Sequence, residues 1–146
     1  MRAVIQRVTQ ASVAVEGKTV SAIGRGLLAL LGVGQGDGEV DAEWLVDKIL
    51  NLRIFERDGK FDRSLLDVDG ELLVVSQFTL FGDCARGRRP SFSGAMDAEG
   101  ARYLFGHFVT TAQGRLKKVE CGIFQASMHV SLINDGPVTI IIDSKT

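Results

Sequence analysis

The stretch Leu72-Leu73-Val74-Val75-Ser76-Gln77-Phe78-Thr79-Leu80 decides the fold, because an apolar run passes directly into polar residues. Four aliphatic residues in succession predict a buried strand over 72–75. Where that strand ends, backbone N–H groups lose their ladder partners, and N–H groups that converge on one point can stabilise an oxyanion. The hydroxyls of Ser76 and Thr79 can equally satisfy the local backbone, as hydroxyls often do at turns.

A second irregular segment, Asn134-Asp135-Gly136-Pro137-Val138-Thr139, lies between strands predicted at about 124–133 and 137–143. Proline cannot donate a ladder hydrogen bond, so it belongs at an edge or an irregularity of a sheet. The Gly136-Pro137 unit can therefore point its carbonyl groups into a site. It can also be an ordinary hairpin connection, and the local pattern allows both interpretations.

The remaining patterns predict a strand-rich α/β fold with two main helices in a single domain, 1–146. Asp41 is the expected N-cap of the first helix, and Asp97 caps a second, amphipathic helix at about 97–112. Further strands are predicted at about 2–8, 11–16, 18–23, 26–33 and 117–121.

Charge and composition narrow the possible partners. A net charge of −1 gives no global attraction to polyanions, so a nucleic acid would have to meet a local patch. The dense basic cluster is Arg86-Gly87-Arg88-Arg89, which can bind phosphates or form a solvated loop. The two cysteines and two histidines lack metal-ligand spacing, so neither metal nor cofactor is expected. The chain is expected to be cytoplasmic, since it shows no signal peptide or membrane-length apolar run.

Taken together and in order, five motifs resemble those of the D-aminoacyl-tRNA deacylases, also called D-tyrosyl-tRNA deacylases. The resemblance runs over essentially the whole chain. The motifs are Met1-Arg2-Ala3-Val4-Ile5-Gln6-Arg7-Val8, Ile49-Leu50-Asn51-Leu52-Arg53-Ile54-Phe55, Ser76-Gln77-Phe78-Thr79-Leu80, Gly87-Arg88-Arg89-Pro90-Ser91-Phe92-Ser93 and Asn134-Asp135-Gly136-Pro137-Val138-Thr139.

The resemblance implies a three-layer α/β/β homodimer with its active site at the subunit interface. There the Ser76–Leu80 motif of one subunit faces the Gly136–Thr139 motif of the other. A cis Gly136-Pro137 unit is the implied filter against L-amino acids. The implied catalytic residues are Ser76, Gln77, Phe78 and Thr79. The implied filter and substrate-binding residues are Gly136, Pro137, Val138, Thr139, Arg7, Phe124 and Met128, and the implied tRNA-binding residues are Arg86, Arg88 and Arg89.

The implied reaction is hydrolysis of the ester of D-aminoacyl-tRNA, a chiral proofreading step in translation. Glycyl-tRNA mischarged on tRNA-Ala is expected to be a further substrate, because glycine has no side chain to exclude. Backbone N–H groups around Phe78 and Thr79 would stabilise the oxyanion. The ribose 2′-OH of the tRNA would assist, so no side-chain base is required. An older interpretation makes Thr79 a covalent nucleophile, which needs a nearby base.

Two other function classes remain open on the residues alone. A tRNA- or RNA-binding module without catalysis would use Arg86, Arg88, Arg89, Lys117 and Lys118, and its affinity would fall steeply with salt. A general esterase or peptidase is disfavoured, because no Ser-His-Asp set is evident.

Overall fold

The computed structural model describes residues 1–145 and confirms a strand-rich α/β fold with two α-helices. The elements are β1 (Arg2–Val15), β2 (Lys18–Ile23), β3 (Gly26–Gly32), α1 (Glu39–Asn51), β4 (Phe55–Arg57), β5 (Lys60–Arg63), β6 (Glu71–Ser76), α2 (Ala98–Gln113), β7 (Val119–Cys121) and β8 (His129–Asp143). A single 3₁₀ turn, Phe78–Phe81, follows β6. Within the described residues, neither helix is long and apolar enough to cross a membrane.

The long strand β1 organises the main sheet by pairing with three other strands. The sheet has the order β2-β1-β3-β6-β7, and β8 also pairs with β1. The first half of β1 pairs with β3, and its second half pairs with β2. Strands β3 and β6 run parallel, with Leu31 opposite Ser76, while Arg2 lies opposite Gly32. The start of β1 and the end of β6 therefore lie at the same end of the sheet.

Two apolar clusters lie on opposite faces of β3 and β6, because successive side chains of a strand point to opposite faces. Leu27 and Leu72 belong to the cluster beneath α1 and α2. Leu28 and Leu73 belong to a second cluster, which the later part of β1 and Ile23 of β2 complete. This alternation explains why both strands are almost continuously apolar in sequence. It is also consistent with the layered arrangement that the resemblance implies.

The prediction that Asp41 caps the first helix is wrong, whereas the prediction for Asp97 is confirmed. Gly38 is the N-cap of α1, and Asp41 lies one turn inside the helix. The Asp41 carboxylate still serves the helix start, because its Oδ2 accepts a hydrogen bond from Gly38 N at 2.9 Å. In α2, the Asp97 side chain accepts from Gly100 N.

Two boundaries between predicted strands are absent from the structure. The strands expected at about 2–8 and 11–16 form one strand, β1, with local shifts of register. The hairpin interpretation of Asn134 to Pro137 is wrong, since β8 continues through this segment as a partner of β1. Val8 pairs with Asn134 and Gln6 pairs with Thr139, so the Gly136-Pro137 unit lies in an excursion of one strand.

Candidate active site

The Ser76–Leu80 motif leaves the sheet and closes at once into the 3₁₀ turn. Gln77 N donates to Leu31 O at 2.8 Å, which holds the end of β6 against β3. Leu80 N then donates to Gln77 O at 3.2 Å. The N–H groups of Phe78 and Thr79 precede this bond, so they lie at the start of the turn, where a helix provides no acceptor. Backbone N–H groups without an acceptor in their own turn are available to other acceptors, such as a ligand oxygen.

A cavity of about 610 Å³ lies beside this motif, between the sheet and α2. It is lined by Ser76, Gln77 and Phe78, and also by Phe124 and Met128. The structure therefore brings five of the predicted site residues around one space. The Thr79 side chain is not part of the lining, and its Oγ1 accepts a hydrogen bond from the Gln77 side-chain amide.

The Gly136 segment borders a different, smaller cavity of about 310 Å³, which Arg7 also lines. The Arg7 side chain is almost fully buried, and its guanidinium joins two parts of the chain. Its Nε donates to Asp135 O at 2.9 Å and its Nη1 donates to Ile54 O at 2.7 Å. Arg7 thus fixes the backbone immediately before Gly136 against the segment that follows α1.

The Gly136-Pro137 peptide is cis, and Asn134 ties together the two ends of the excursion that contains it. Asn134 Oδ1 accepts from Val138 N at 2.7 Å, while Asn134 Nδ2 donates to Val138 O and to Thr139 Oγ1. The Val138 side chain packs into the main core. The Val138 side chain is therefore not available to a ligand, whereas the Thr139 side chain is exposed.

Within one chain the two motifs lie far apart. Ser76 of β6 pairs with Leu31 of β3, and Leu31 pairs with Ala3 of β1. Gly136 of β8 instead lies beside Arg7, which is four positions further along β1. The four residue steps from Ala3 to Arg7 span ~13 Å along β1. The three strand spacings from β6 through β3 and β1 to β8 add ~14 Å across the sheet. A single chain does not place Gly136-Pro137 over the cavity beside Ser76.

The basic cluster lies near the motif, in a loop that Asp83 and Ser91 close. Backbone hydrogen bonds of 2.7 and 2.9 Å join Asp83 and Ser91 in both directions. The Phe92 ring then meets the Phe78 ring edge to face, with centroids 5.1 Å apart. The arginines Arg86, Arg88 and Arg89 are all exposed. A polyanion held by this loop would therefore lie next to the Ser76–Leu80 motif.

None of the histidine and cysteine side chains in the described residues lines the cavity beside Ser76. His107 Nε2 is 3.0 Å from Glu43 Oε1, between α1 and α2. His129 lies between Met128 and Val130, which do line the cavity, but its own side chain is exposed and is not part of the lining. The pKa of the Cys121 thiol is raised by burial and by the neighbouring Glu120, so this thiol is not an activated nucleophile.

One group of side chains that sequence reasoning missed has ligand atoms close enough to hold a metal ion. Glu39, Glu43 and His107 place these atoms within 4.8 Å of one another on the outer side of the helix pair. None of the three lines the cavity beside Ser76. The spacing of histidines along the chain cannot reveal such a group, because the packing of α1 on α2 brings it together.

Comparison with known proteins identifies the family of this chain. The family described as D-Tyr-tRNA(Tyr) deacylase matches residues 4–143. Relatives named D-aminoacyl-tRNA deacylase from Desulfitobacterium hafniense (strain DSM 10664 / DCB-2) and Caldicellulosiruptor saccharolyticus are each 58% identical over 146 residues. The alignments cover 99% of this chain and 98% of each relative.

Solved structures show the same fold. A structure named "c-Myc DNA Unwinding Element Binding Protein" matches with a TM-score of 0.93 and 44% identity over 98% of both chains. A probable eukaryotic D-amino acid tRNA deacylase matches with a TM-score of 0.83, over 97% of this chain and 98% of the other. At 17% identity this second likeness concerns the fold alone. From its full-length match to the family and to its bacterial relatives, the chain belongs to the D-aminoacyl-tRNA deacylase family and is an ester-hydrolysing enzyme of that family.

Proposed function

We propose that this enzyme acts as a homodimer that hydrolyses D-aminoacyl-tRNA to the free D-amino acid and tRNA and spares L-aminoacyl-tRNA. The observation that carries the proposal is the separation of Ser76 from Gly136 within one chain, in two different cavities. If both segments serve one reaction, a second copy must supply one of them. A twofold dimer supplies both, because each subunit then gives its Gly136-Pro137 unit to the cavity of its partner.

The exposed side of β8 supports a second copy as the occupant. Alternate residues of β8 face outward, and among them Ile133 and Ile141 are 52% and 71% exposed. The Gly136-Pro137 unit lies on the same strand, between these two isoleucines. Burial of these two isoleucines against a second copy of the strand would remove their apolar surface from water, which favours association.

The proposed chemistry needs little from side chains. The substrate is an ester of the terminal ribose, and water attacks its carbonyl carbon while the N–H groups of Phe78 and Thr79 stabilise the oxyanion. The tetrahedral intermediate then releases the ribose oxygen, which takes up one proton of the attacking water. The other proton passes to the solvent, and the amino acid leaves as a carboxylate. The ribose 2′-OH of the substrate assists, so neither His107 nor His129 takes part. No metal ion or cofactor is needed for these steps.

Specificity in this proposal comes from a clash rather than from weaker attraction. The carbonyl groups of the Gly136-Pro137 unit occupy the space that the side chain of an L-amino acid would need. A D side chain points away from them, and glycine has no side chain at all. Glycyl-tRNA mischarged on tRNA-Ala is therefore a proposed further substrate, and Arg7 keeps the filter in position through Asp135.

The tRNA partner is proposed to contact the basic loop. Arg86, Arg88 and Arg89 are exposed, and the edge-to-face rings of Phe92 and Phe78 connect this loop to the reaction site. Arginines bind phosphate oxygens through paired N–H groups, so the loop can hold the acceptor end while the ester enters the cavity.

A second candidate function is nucleic-acid binding without catalysis. It is favoured by the likeness to the 44% identical solved structure, a protein whose name says that it binds a DNA unwinding element. The same arginines would serve that function, so their substitution does not separate the two candidates. Turnover separates them, because a binding module would leave the ester intact.

A mixed dimer tests the proposal. One subunit carries Phe78→Pro, which removes an oxyanion donor, and a differently tagged subunit carries Pro137→Ala in the filter. Purification through both tags gives a heterodimer, and its hydrolysis of D- and L-tyrosyl-tRNA is measured. The Phe78→Pro and Pro137→Ala homodimers are the controls, expected to be nearly inactive and unselective, respectively.

If the site is shared between subunits, the heterodimer retains one intact site, with the unchanged motif of one subunit and the unchanged filter of the other. It then hydrolyses the D ester at about half the wild-type rate and spares the L ester. If each chain forms its own site, the Phe78→Pro subunit is nearly inactive and only the Pro137→Ala subunit turns over substrate. Because that subunit has the altered filter, the L ester is hydrolysed as well. That result, or an absence of dimers, contradicts the proposal.

A further inference from the structure

Residues at the very start of β1 hold the turn that presents the proposed oxyanion donors. The Phe81 ring lies directly on the end of β3 and on the loop after it. A Cβ atom added at Gly32 would be 3.1 Å from this ring, and one added at Gly34 would be 2.6 Å from it. A side chain at Gly34 would displace the ring, and one at Gly32 would crowd it, so the ring packs directly on the backbone at these two positions.

Arg2 lies over the same ring. Its guanidinium carbon lies 4.7 Å from the centroid of the Phe81 ring. Its Nη1 donates to Leu80 O at 2.8 Å, so the side chain contacts both the ring and the backbone of the turn. A planar guanidinium can stack and donate at the same time, which a lysine ammonium cannot do.

Arg2 is itself held in place by the end of β8. Its Nε donates to Asp143 Oδ2 at 2.9 Å, across the pair that joins β1 to β8. The surface under the ring is fixed as well, because Gly34 N donates to Asp37 Oδ2 at 2.7 Å. The turn is thus bound to β3 at its start through Gln77 N, and to Arg2 at its end.

We infer that Arg2 is a positioning residue for the ester hydrolysis, which orients the N–H groups of Phe78 and Thr79 by fixing Leu80 O and the Phe81 ring. This inference rests on the proposed function. Arg2 does not line the cavity beside Ser76, so it acts through the turn rather than on the substrate. Oxyanion donors must be placed to within a fraction of an ångström, and a turn held only at its start would let them move.

Arg2→Met tests the inference, since it keeps the length of the side chain and removes its donors. The matched control is Arg53→Met, because Arg53 likewise donates to a backbone carbonyl and pairs with a carboxylate, at Asp62, far from the cavity. Arg2→Met is expected to lower kcat for D-tyrosyl-tRNA about tenfold with KM unchanged, and Arg53→Met to leave both unchanged. The thermal midpoints of both variants show whether they fold.

Two further measurements distinguish positioning from a merely structural role. In a Phe78→Pro background, Arg2→Met should cost less than about threefold, because one of the N–H groups it orients is already absent. In the ¹⁵N–¹H spectrum of the protein alone, Arg2→Met should shift the amide resonances of Phe78 and Thr79, and Arg53→Met should not.

Unchanged Phe78 and Thr79 resonances would overturn the inference. So would an equal loss of kcat in both backgrounds, or a change confined to KM, which would make Arg2 a substrate contact. If the wild-type protein hydrolyses neither ester, the proposed function fails instead, and the amide shifts still decide whether Arg2 positions the turn.

Discussion

The Arg7 guanidinium donates to the carbonyl oxygen of Asp135 at 2.9 Å, one residue before the Gly136-Pro137 unit. The same guanidinium donates to Ile54 O and lies 3.5 Å from Glu56 Oε1. Arg7 therefore ties the backbone before Gly136 to the segment that contains Ile54 and Glu56. A buried arginine that leaves two carbonyl groups unpaired when it is removed is costly to replace.

Arg7→Met should therefore lower the free energy of unfolding by about 2–3 kcal/mol and also weaken the discrimination against L-tyrosyl-tRNA. Denaturant unfolding and parallel hydrolysis of the two esters check the two effects. Arg57→Met is the control, because the Arg57 side chain is largely exposed and, among the described residues, makes only a long ion pair with Asp62. Full selectivity in a folded Arg7→Met enzyme would show that Arg7 does not support the filter.

Phe78→Pro should lower kcat by about 10²–10³ relative to Phe78→Ala. Both variants lack the phenyl ring, and only the proline variant lacks the N–H group. Proline is compatible with the first position of a helical turn, so the turn itself is expected to form. Single-turnover hydrolysis of D-tyrosyl-tRNA gives the comparison. Equal rates for the two variants would remove the Phe78 N–H from the mechanism.

Thr79→Ala should retain at least about a tenth of the wild-type kcat, because the proposed chemistry uses the backbone and not the hydroxyl. The Thr79 Oγ1 accepts a hydrogen bond from the Gln77 side-chain amide, and neither histidine side chain lines the cavity beside Ser76. Loss of a covalent nucleophile would instead cost on the order of 10⁶ in kcat. A folded but inactive Thr79→Ala enzyme would restore the nucleophile interpretation.

Neutralising the basic loop should weaken tRNA binding and its dependence on salt. The triple change of Arg86, Arg88 and Arg89 to glutamine is expected to raise KM and to flatten the slope of log KM against log salt, with kcat little changed. Changing the exposed Lys18, Lys48 and Lys60 to glutamine removes the same charge from other surfaces. If both triple variants behave alike, net charge rather than the loop determines binding.

Acid should destabilise the protein partly through Asp41. Burial acts to raise the pKa of this carboxyl, but hydrogen bonds from Gly38 N, Ser144 and Lys145 prevail and lower it to about 2. Its folded-state pKa is thus below the ordinary value of 3.8, so its stabilisation is present above about pH 4 and lost as the pH falls towards 2. Unfolding of wild type and Asp41→Asn should differ at pH 6 and converge near pH 2. A difference that stays constant over this range would contradict the assignment.

Much of the fold could be predicted from local pattern, because the types of neighbouring residues indicate whether a segment is buried and where a helix begins. The apolar runs of β3 and β6 indicated strands buried on both faces, and Asp97 marked the start of α2. The continuation of β8 through Gly136-Pro137 could not be predicted in this way. A run of turn-forming residues resembles a hairpin until the pairing of both its flanks with β1 is known.

The contacts that support the site were also beyond local pattern. The hydrogen bond from Arg2 to Leu80 O joins residues 78 positions apart in the sequence, and the one from Arg7 to Asp135 O joins residues 128 positions apart. Such contacts depend on the sheet order, which no single segment encodes. The motif residues themselves could be identified because their polar groups interrupt an apolar run, whereas Arg2 looked like any charged residue near a chain start.

The most direct test of the account is hydrolysis of matched D-tyrosyl-tRNA and L-tyrosyl-tRNA by the purified protein in the presence of EDTA. We expect rapid loss of the D ester, persistence of the L ester and no effect of the chelator. Hydrolysis of both esters would contradict the Gly136-Pro137 filter. Hydrolysis of neither, with salt-dependent binding of the tRNA, would show a nucleic-acid-binding protein and contradict the account as a whole.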